Sequence, residues 1–206
     1  MSELLDIWNQ AWSSVAQERG NNLEDTSQWR KSAAKTRSPE DGDWWFTNGY
    51  RFLDNWVTWR KNNPQWKIAL VNNEPAIEVA ANAWVGEVQV KMVIDRVLYN
   101  TDTNQYAIVD LKTGKKTPTM SLQLGFYSYG LRKVYNLDIK DGYYWNARMG
   151  ELSMPFDLAA YSDSKIETMV QMFDTARKSG IYMPNYDHCK MCGYKDSCTW
   201  YIEEKE

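Results

Sequence analysis

Two apolar, β-branched runs face each other across a polar turn, and each run carries one acid. The first run is Val93-Ile94-Asp95-Arg96-Val97-Leu98-Tyr99, and the turn spans Asn100 to Gln105. The second is Tyr106-Ala107-Ile108-Val109-Asp110-Leu111-Lys112-Thr113. Such a pattern predicts a β-hairpin. With the turn centred between Asp102 and Thr103, Asp95 stands opposite Asp110. Opposed Cβ atoms in a ladder lie about 4.5–5.5 Å apart, so the two carboxylates repel unless a cation lies between them. Residues two apart in a strand share a face, which sets Lys112 beside Asp110. Two acids and a lysine at one point describe a divalent-metal hydrolytic centre.

Composition narrows the setting. A chain of 206 residues with 43% hydrophobic and 25% charged residues reads as one globular domain, or a domain with an appendage. The net charge of −3 supplies no global attraction for nucleic acid, so a basic surface must be local. No apolar run is long enough to span a membrane. The acidic start, Met1-Ser2-Glu3-Leu4-Leu5-Asp6, is no signal peptide. An intracellular, cytoplasmic protein is expected. Cys189, Cys192 and Cys198 lie close together near the end of the chain, and an odd cluster of this kind argues for metal over disulfides.

Periodicity places the elements. Leu4, Trp8, Trp12 and Val15 mark a helix over 3–19, and residues 20–43 read as loop or short helical pieces. Trp45, Phe52, Leu53, Trp56 and Val57 mark a long helix over 44–61, ended by Asn62-Asn63-Pro64. Strands are expected at 67–71, 76–82, 87–99 and 106–113. A helix over 119–134 follows, then strands at 142–148 and 151–156 and a helix over 162–179 capped by Ser162 or Asp163. The fold class is α/β, with a mixed sheet in α-β-β-β-α-β-α order. Three regions follow: N-terminal helices over 1–66, a core over 67–180 and a cysteine-rich tail over 181–206.

Hard cations such as Mg²⁺ or Mn²⁺ take carboxylate and carbonyl oxygens. Asp95 and Asp110 supply two carboxylates, and the backbone carbonyl of Leu111 a further oxygen. Glu78, on the preceding strand, is an additional candidate, since a turn near Gly86 carries it toward Asp95. Lys112 would orient or help deprotonate the attacking water, or neutralise charge on a phosphate. Gln123 and Tyr127 are four apart on a predicted helix and share a face. Lys115 and Lys116 are candidate phosphate contacts. The run Thr113-Gly114-Lys115-Lys116-Thr117 is no P-loop, because position 109 is Val where a Gly is required.

The chain resembles the PD-(D/E)XK nuclease superfamily, in particular its RecB-like exonuclease branch, which includes CRISPR-associated iron–sulfur exonucleases and phage-type members. Val93-Ile94-Asp95-Arg96-Val97 matches the Gly-X-X-Asp-Arg-Val motif, with Met92 in place of the Gly. Asp110 and Lys112 match (Asp/Glu)-X-Lys, and Gln123 through Tyr127 match Gln-X-X-X-Tyr. The cysteines match the three C-terminal cysteines of the clustered members. The motifs span roughly residues 76–200. Trp44-Trp45-Phe46-Thr47-Asn48-Gly49 looks like phage-encoded relatives.

The resemblance implies a restriction-endonuclease-like core and a Mg²⁺- or Mn²⁺-dependent exonuclease acting on linear or single-stranded DNA. Gln123 and Tyr127 would then support the lysine and the DNA. Recombination or replication proteins, and a second copy of the chain, are compatible partners. There are two departures. The metal-binding His of the first core helix is missing, the single His being His188, and no fourth cysteine lies near the N-terminus. Either Glu78 or a helix acid such as Asp54 compensates for the His, or one metal position is weakened. The tail admits an iron–sulfur cluster with a non-cysteine ligand, a Zn²⁺ held by three cysteines and His188, or no metal. The alternatives to the enzyme are a non-catalytic DNA-binding or adaptor subunit with the same fold, and a zinc-stabilised interaction module.

Overall fold

The computed structural model describes residues 2–18, 40–181, 185, 189, 192–199 and 201. Two helices come first, α1 (Ser2–Glu18) and α2 (Gly42–Asn62). The Asp41 side chain accepts the Trp44 N–H at the start of α2, and Arg60 and Lys61 sit in its last turn. An acidic cap at one end and cations at the other both complement the helix dipole.

The sheet is built on one long strand. After β1 (Trp66–Ile68), β2 (Leu70–Val71), β3 (Glu74–Pro75) and β4 (Ile77–Val85) comes β5 (Val88–Asn100), then β6 (Gln105–Lys112). One edge of β5 pairs antiparallel with β4 from Val88 to Arg96 and with β1 from Leu98 to Asn100. Its other edge pairs with β6 from Arg96 onward. Helix α3 (Leu122–Tyr135) crosses over to β7 (Asp141–Asn146), which runs parallel to β6. The crossover is long because a parallel neighbour cannot be reached by a tight turn. Strands β8 (Glu151–Leu152) and β9 (Phe156–Asp157) both pair with β7, and α4 (Asp163–Lys178) follows. The result is the mixed α/β architecture expected from the sequence.

Three elements differ from expectation, each for a local reason. The single strand predicted at 67–71 is two. The Ala69 N–H continues the β1 register onto the Val97 carbonyl, but the Ala69 carbonyl turns to the Ala76 N–H, and β2–β3 form their own hairpin. Asn72 and Asn73 both adopt left-handed φ, 50° and 65°, as a tight hairpin turn requires. The strand predicted at 151–156 is also two. Ser153 accepts the Tyr144 N–H and donates to the Met154 carbonyl, and Pro155 follows. Helix α3 begins at Leu122 rather than at Thr119, and the Ser121 hydroxyl is paired with that of Tyr161 instead of capping it. Ser162 caps α4 by accepting the Lys165 N–H.

Each face of the sheet has its own core. On one face Ala81, Met92, Ile94, Val97 and Ile108 pack with Leu124, Tyr129 and Leu131 of α3 and with Ile166 and Val170 of α4. On the other, Leu98, Val109 and Trp145 pack with Phe52 of α2, surrounded by Trp44, Trp45, Trp56 and Trp59. Burying a large aromatic side chain is worth roughly 1.5–3 kcal/mol, so the Trp-rich face alone is a strong anchor for α2.

Candidate active site

The β5–β6 ladder ends at the pair Arg96–Val109. Its next rung sets Asp95 opposite Asp110, the register that the polar turn predicts. There a side chain replaces the backbone ladder, as Asp95 Oδ2 accepts the Leu111 N–H at 2.7 Å. That bond orients the Asp95 carboxylate toward β6.

Both neighbouring strands reverse their faces at this rung. Ile94 and Val97 lie in the same core although they are three positions apart, and so do Val79 of β4 and Ala76 just before it. Strict alternation forbids this. The extra residues are Asp95 and Glu78, flanked by the pairs Ile77–Arg96 and Val79–Ile94. Glu78 takes φ 53°, a conformation costing an L-residue about 1–2 kcal/mol.

Asp110 is 2% exposed. Its buried Oδ2 lies 2.6 Å from Lys112 Nζ, so the ammonium is its direct ion-pair partner. Burial, first, and the nearby Asp95 charge raise the Asp110 pKa, while the Lys112 ammonium opposes them. Lys112 Nζ donates to Gln123 Oε1 at 2.9 Å, and Gln123 Nε2 donates to the Tyr127 hydroxyl at 2.8 Å. Burial and the Asp110 charge push the Tyr127 phenol up. Tyr144, whose ring centroid lies 5.4 Å from Lys112 Nζ, is pushed up to about 12 by burial first. Both phenols therefore remain neutral donors at ordinary pH.

Two neighbouring carboxylates, one of them buried, are hard-oxygen donors of the kind that Mg²⁺ or Mn²⁺ takes. Such ions take one or two carboxylates and complete their shell with water and substrate phosphate. The profile of the PD-(D/E)XK nuclease superfamily matches residues 2–199. The chain belongs to that superfamily. No curated protein matches the chain closely enough to be named as a relative.

In this PD-(D/E)XK chain the other predicted residues are distributed unevenly. Leu111 is in register with Trp145. Glu78 is exposed, and among the described residues no three His, Cys, Asp or Glu side chains converge as an ion would need. Asp54 is half-buried on α2. Lys115 pairs with Glu40 at 3.3 Å and Lys116 is exposed. Cys189, Cys192 and Cys198 are free thiols, with Cys189 Sγ turned to the Asn185 carbonyl. They form no ligand set for an iron–sulfur cluster or Zn²⁺ among the described residues. His188 lies outside those residues.

Sequence reasoning missed a buttress behind Lys112. Arg148 donates to both Glu40 carboxylate oxygens, at 3.1 and 2.9 Å, and to the Thr113 carbonyl at 2.6 Å. Its guanidinium lies 4.7 Å from the Trp44 ring centroid. The hydrogen-bonded Arg148 guanidinium holds the Glu40 carboxyl below its usual range. Asn146, also buried, accepts the N–H groups of Arg148 and Met149 and donates to Thr117. These contacts fasten the loop after β6 to the start of α2. The one available signal was an arginine just beyond a strand parallel to the Asp-X-Lys strand, the end of the sheet where ligands bind in α/β folds.

Proposed function

We propose that this chain is a Mg²⁺- or Mn²⁺-dependent deoxyribonuclease of RecB-like type that degrades linear DNA from its ends. The observation that carries this reading is the buried Asp110 carboxylate, kept beside both Asp95 and Lys112. A fold has no stability reason to bury an acid whose charge is disfavoured, whereas such strain is common at reacting sites.

Asp95 and Asp110 would hold the cation, with the Leu111 carbonyl and Glu78 as further oxygens. A bound divalent ion supplies Lewis acidity toward the scissile phosphate and lowers the pKa of water. The chain's own groups do the rest. The Leu111 N–H fixes the Asp95 carboxylate, so that it need not reorganise as substrate arrives. Lys112 presents a cation that orients the attacking water and offsets the charge growing on the phosphoryl oxygens. Gln123 accepts from the ammonium and donates to Tyr127, which holds the Lys112 head over the Asp110 carboxylate. Lys115 and Lys116 lie just beyond, where the DNA backbone would leave the site.

The test is cleavage of end-labelled linear single- and double-stranded DNA beside covalently closed circles, with Mg²⁺, Mn²⁺ or EDTA. Metal-dependent loss of linear DNA alone, abolished in Lys112→Ala, is the expected result. Nicked circles would make the enzyme an endonuclease. No cleavage of any substrate by the folded chain would promote the non-catalytic DNA-binding or adaptor subunit.

A further inference from the structure

The β4–β5 hairpin extends past the rest of the sheet. Strand β5 pairs with β6 only from Arg96 onward, so among the described residues Val88–Asp95 has β4 on one edge and no strand on the other. One face of this arm packs against α3 and α4 through Ala81, Ala83, Val85 and Met92. The opposite face presents Ala80, Asn82, Trp84, Gln89, Lys91 and Val93, paired across the two strands as Trp84–Gln89, Asn82–Lys91 and Ala80–Val93.

Among the described residues none of the six belongs to either core, yet the face carries a tryptophan that is 64% exposed and a valine that is 50% exposed. None of its six residues is acidic, and Lys91 is its one charge, in a chain with net charge −3. A lysine on an open edge also discourages pairing with another strand. At its inner end the face meets the rung of Asp95 and then Arg96, which stands opposite Ile77 with its guanidinium 5.4 Å from the Trp56 ring centroid. Arg96 Nε and Arg60 Nη1 are buried there with no acceptor among the described residues. Those two nitrogens are shielded from solvent, and the Arg96 guanidinium as a whole is a cation of the charge and shape that a phosphate takes.

We propose that the outward face of the β4–β5 arm is a landing surface for single-stranded DNA, with Trp84 as a base-stacking residue at its far end and Arg96 nearest the cleavage centre. This rests on the nuclease reading above. Six residues of strand separate Gln89, opposite Trp84, from Asp95. At ~3.3 Å per residue that is about 20 Å, or about six stacked nucleotides at 3.4 Å each. An aromatic ring stacks on any base, so such a platform binds without sequence preference. A protein partner would favour a contiguous apolar patch, but Asn82, Gln89 and Lys91 lie between Trp84 and Val93.

The experiment measures fluorescence anisotropy of labelled oligo-dT of 4, 8, 12 and 16 nucleotides with the full chain, in EDTA to prevent cleavage. Trp84→Ala should weaken binding of the 12- and 16-mer about five- to a hundred-fold and leave the 4-mer unchanged. Trp84→Phe should stay within about threefold of the parent, since it keeps a stacking face. Equal affinities of Trp84→Ala and parent at every length would overturn the inference, and so would equal losses in both variants at every length. A change of sedimentation in Trp84→Ala with DNA affinity unaltered would assign the face to self-association instead. If the parent binds no oligonucleotide and cleaves none with Mg²⁺, the nuclease reading itself fails. Cleavage by a parent that Trp84→Ala matches in affinity sinks the landing surface alone.

Discussion

Glu78 and Asp95 occupy the same rung of the β4–β5 hairpin, and at that rung both strands reverse the face they present to the core. An irregularity in one strand bends a sheet, whereas a matched one in two strands keeps the register on either side. The register stays Ile77–Arg96 before the rung and Val79–Ile94 after it. The hairpin can thus carry two acids at its inner end and keep the same register on both sides of them.

The left-handed backbone of Glu78, φ 53°, separates strain from chemistry. Glu78→Gly should raise stability by about 1 kcal/mol, because glycine adopts this φ without a Cβ penalty. Glu78→Gln keeps the backbone strain and removes only the charge. If the carboxylate helps hold the ion, both variants should need more Mg²⁺ for half-maximal cleavage, while only Glu78→Gly melts higher. Thermal melting beside a Mg²⁺ titration of cleavage distinguishes the two effects. Unchanged Mg²⁺ dependence in both variants would remove Glu78 from the site.

Asp110 should trade stability for activity. Its folded pKa is raised, chiefly by burial, so the folded state binds a proton more readily than the unfolded state. The carboxyl's contribution to stability is thus present in full below its ordinary pKa of 3.8 and is lost as pH rises through the raised value. Asp110→Asn should therefore melt higher than the parent near pH 7, and this advantage should shrink as pH falls into the carboxylate range. A gain of about 1 kcal/mol corresponds to ~2–4 °C at this chain length. Cleavage should fall by ~10²-fold or more. Melting curves from pH 4 to 8 measure the first effect, and a lower Tm at every pH would contradict it.

The sequence foretold this centre unevenly. The polar turn was symmetric enough to set Asp95 against Asp110, because hairpin register follows from where the turn is centred. The helix carrying Gln123 and Tyr127 was legible from its periodicity. The face reversal at Glu78 and Asp95 was not, since alternation rules assume a regular strand. The pairing of Glu40 with Arg148 was also hidden. Nothing local marks two residues 108 positions apart, and only the packing of α2 on the sheet brings them together.

Gln123 acts on Lys112 through one hydrogen bond on each side of its amide. A net hydrogen bond contributes about 0.5–1.5 kcal/mol, and one to a charged group about 1.5–3. Gln123→Ala should lower kcat by about ten- to a hundred-fold with little change in KM, because the lysine is still present but no longer held. Tyr127→Phe removes the hydroxyl that accepts from Gln123 and bonds Asp110 but keeps the Lys112–Gln123 bond, so it should cost less, about threefold. Steady-state kinetics on linear DNA decides this. A KM effect alone would make Gln123 a substrate contact.

Arg148 joins the loop after β6 to α2 through the Glu40 pair and the Thr113 carbonyl. The Arg148 side chain is 16% exposed and that of Glu40 9%, so part of the charge remains screened. Removing one partner of a fully buried pair costs about 3–5 kcal/mol. With this exposure, Arg148→Ala should cost about 2–4 kcal/mol. Arg148→Lys should recover little, because one ammonium cannot bond both Glu40 oxygens and Thr113 and also keep the contact with the Trp44 ring. The Glu40 carboxyl is depressed below its ordinary value of 4.5, so its share of the stability is present above that value and is lost as pH falls through the folded pKa. The parent should therefore lose stability on acidification faster than Arg148→Ala, in which Glu40 has already lost its main partner. Urea unfolding at pH 7 and pH 4 measures both. Parallel losses in the two proteins would show that the pair contributes nothing to the acid sensitivity of the fold.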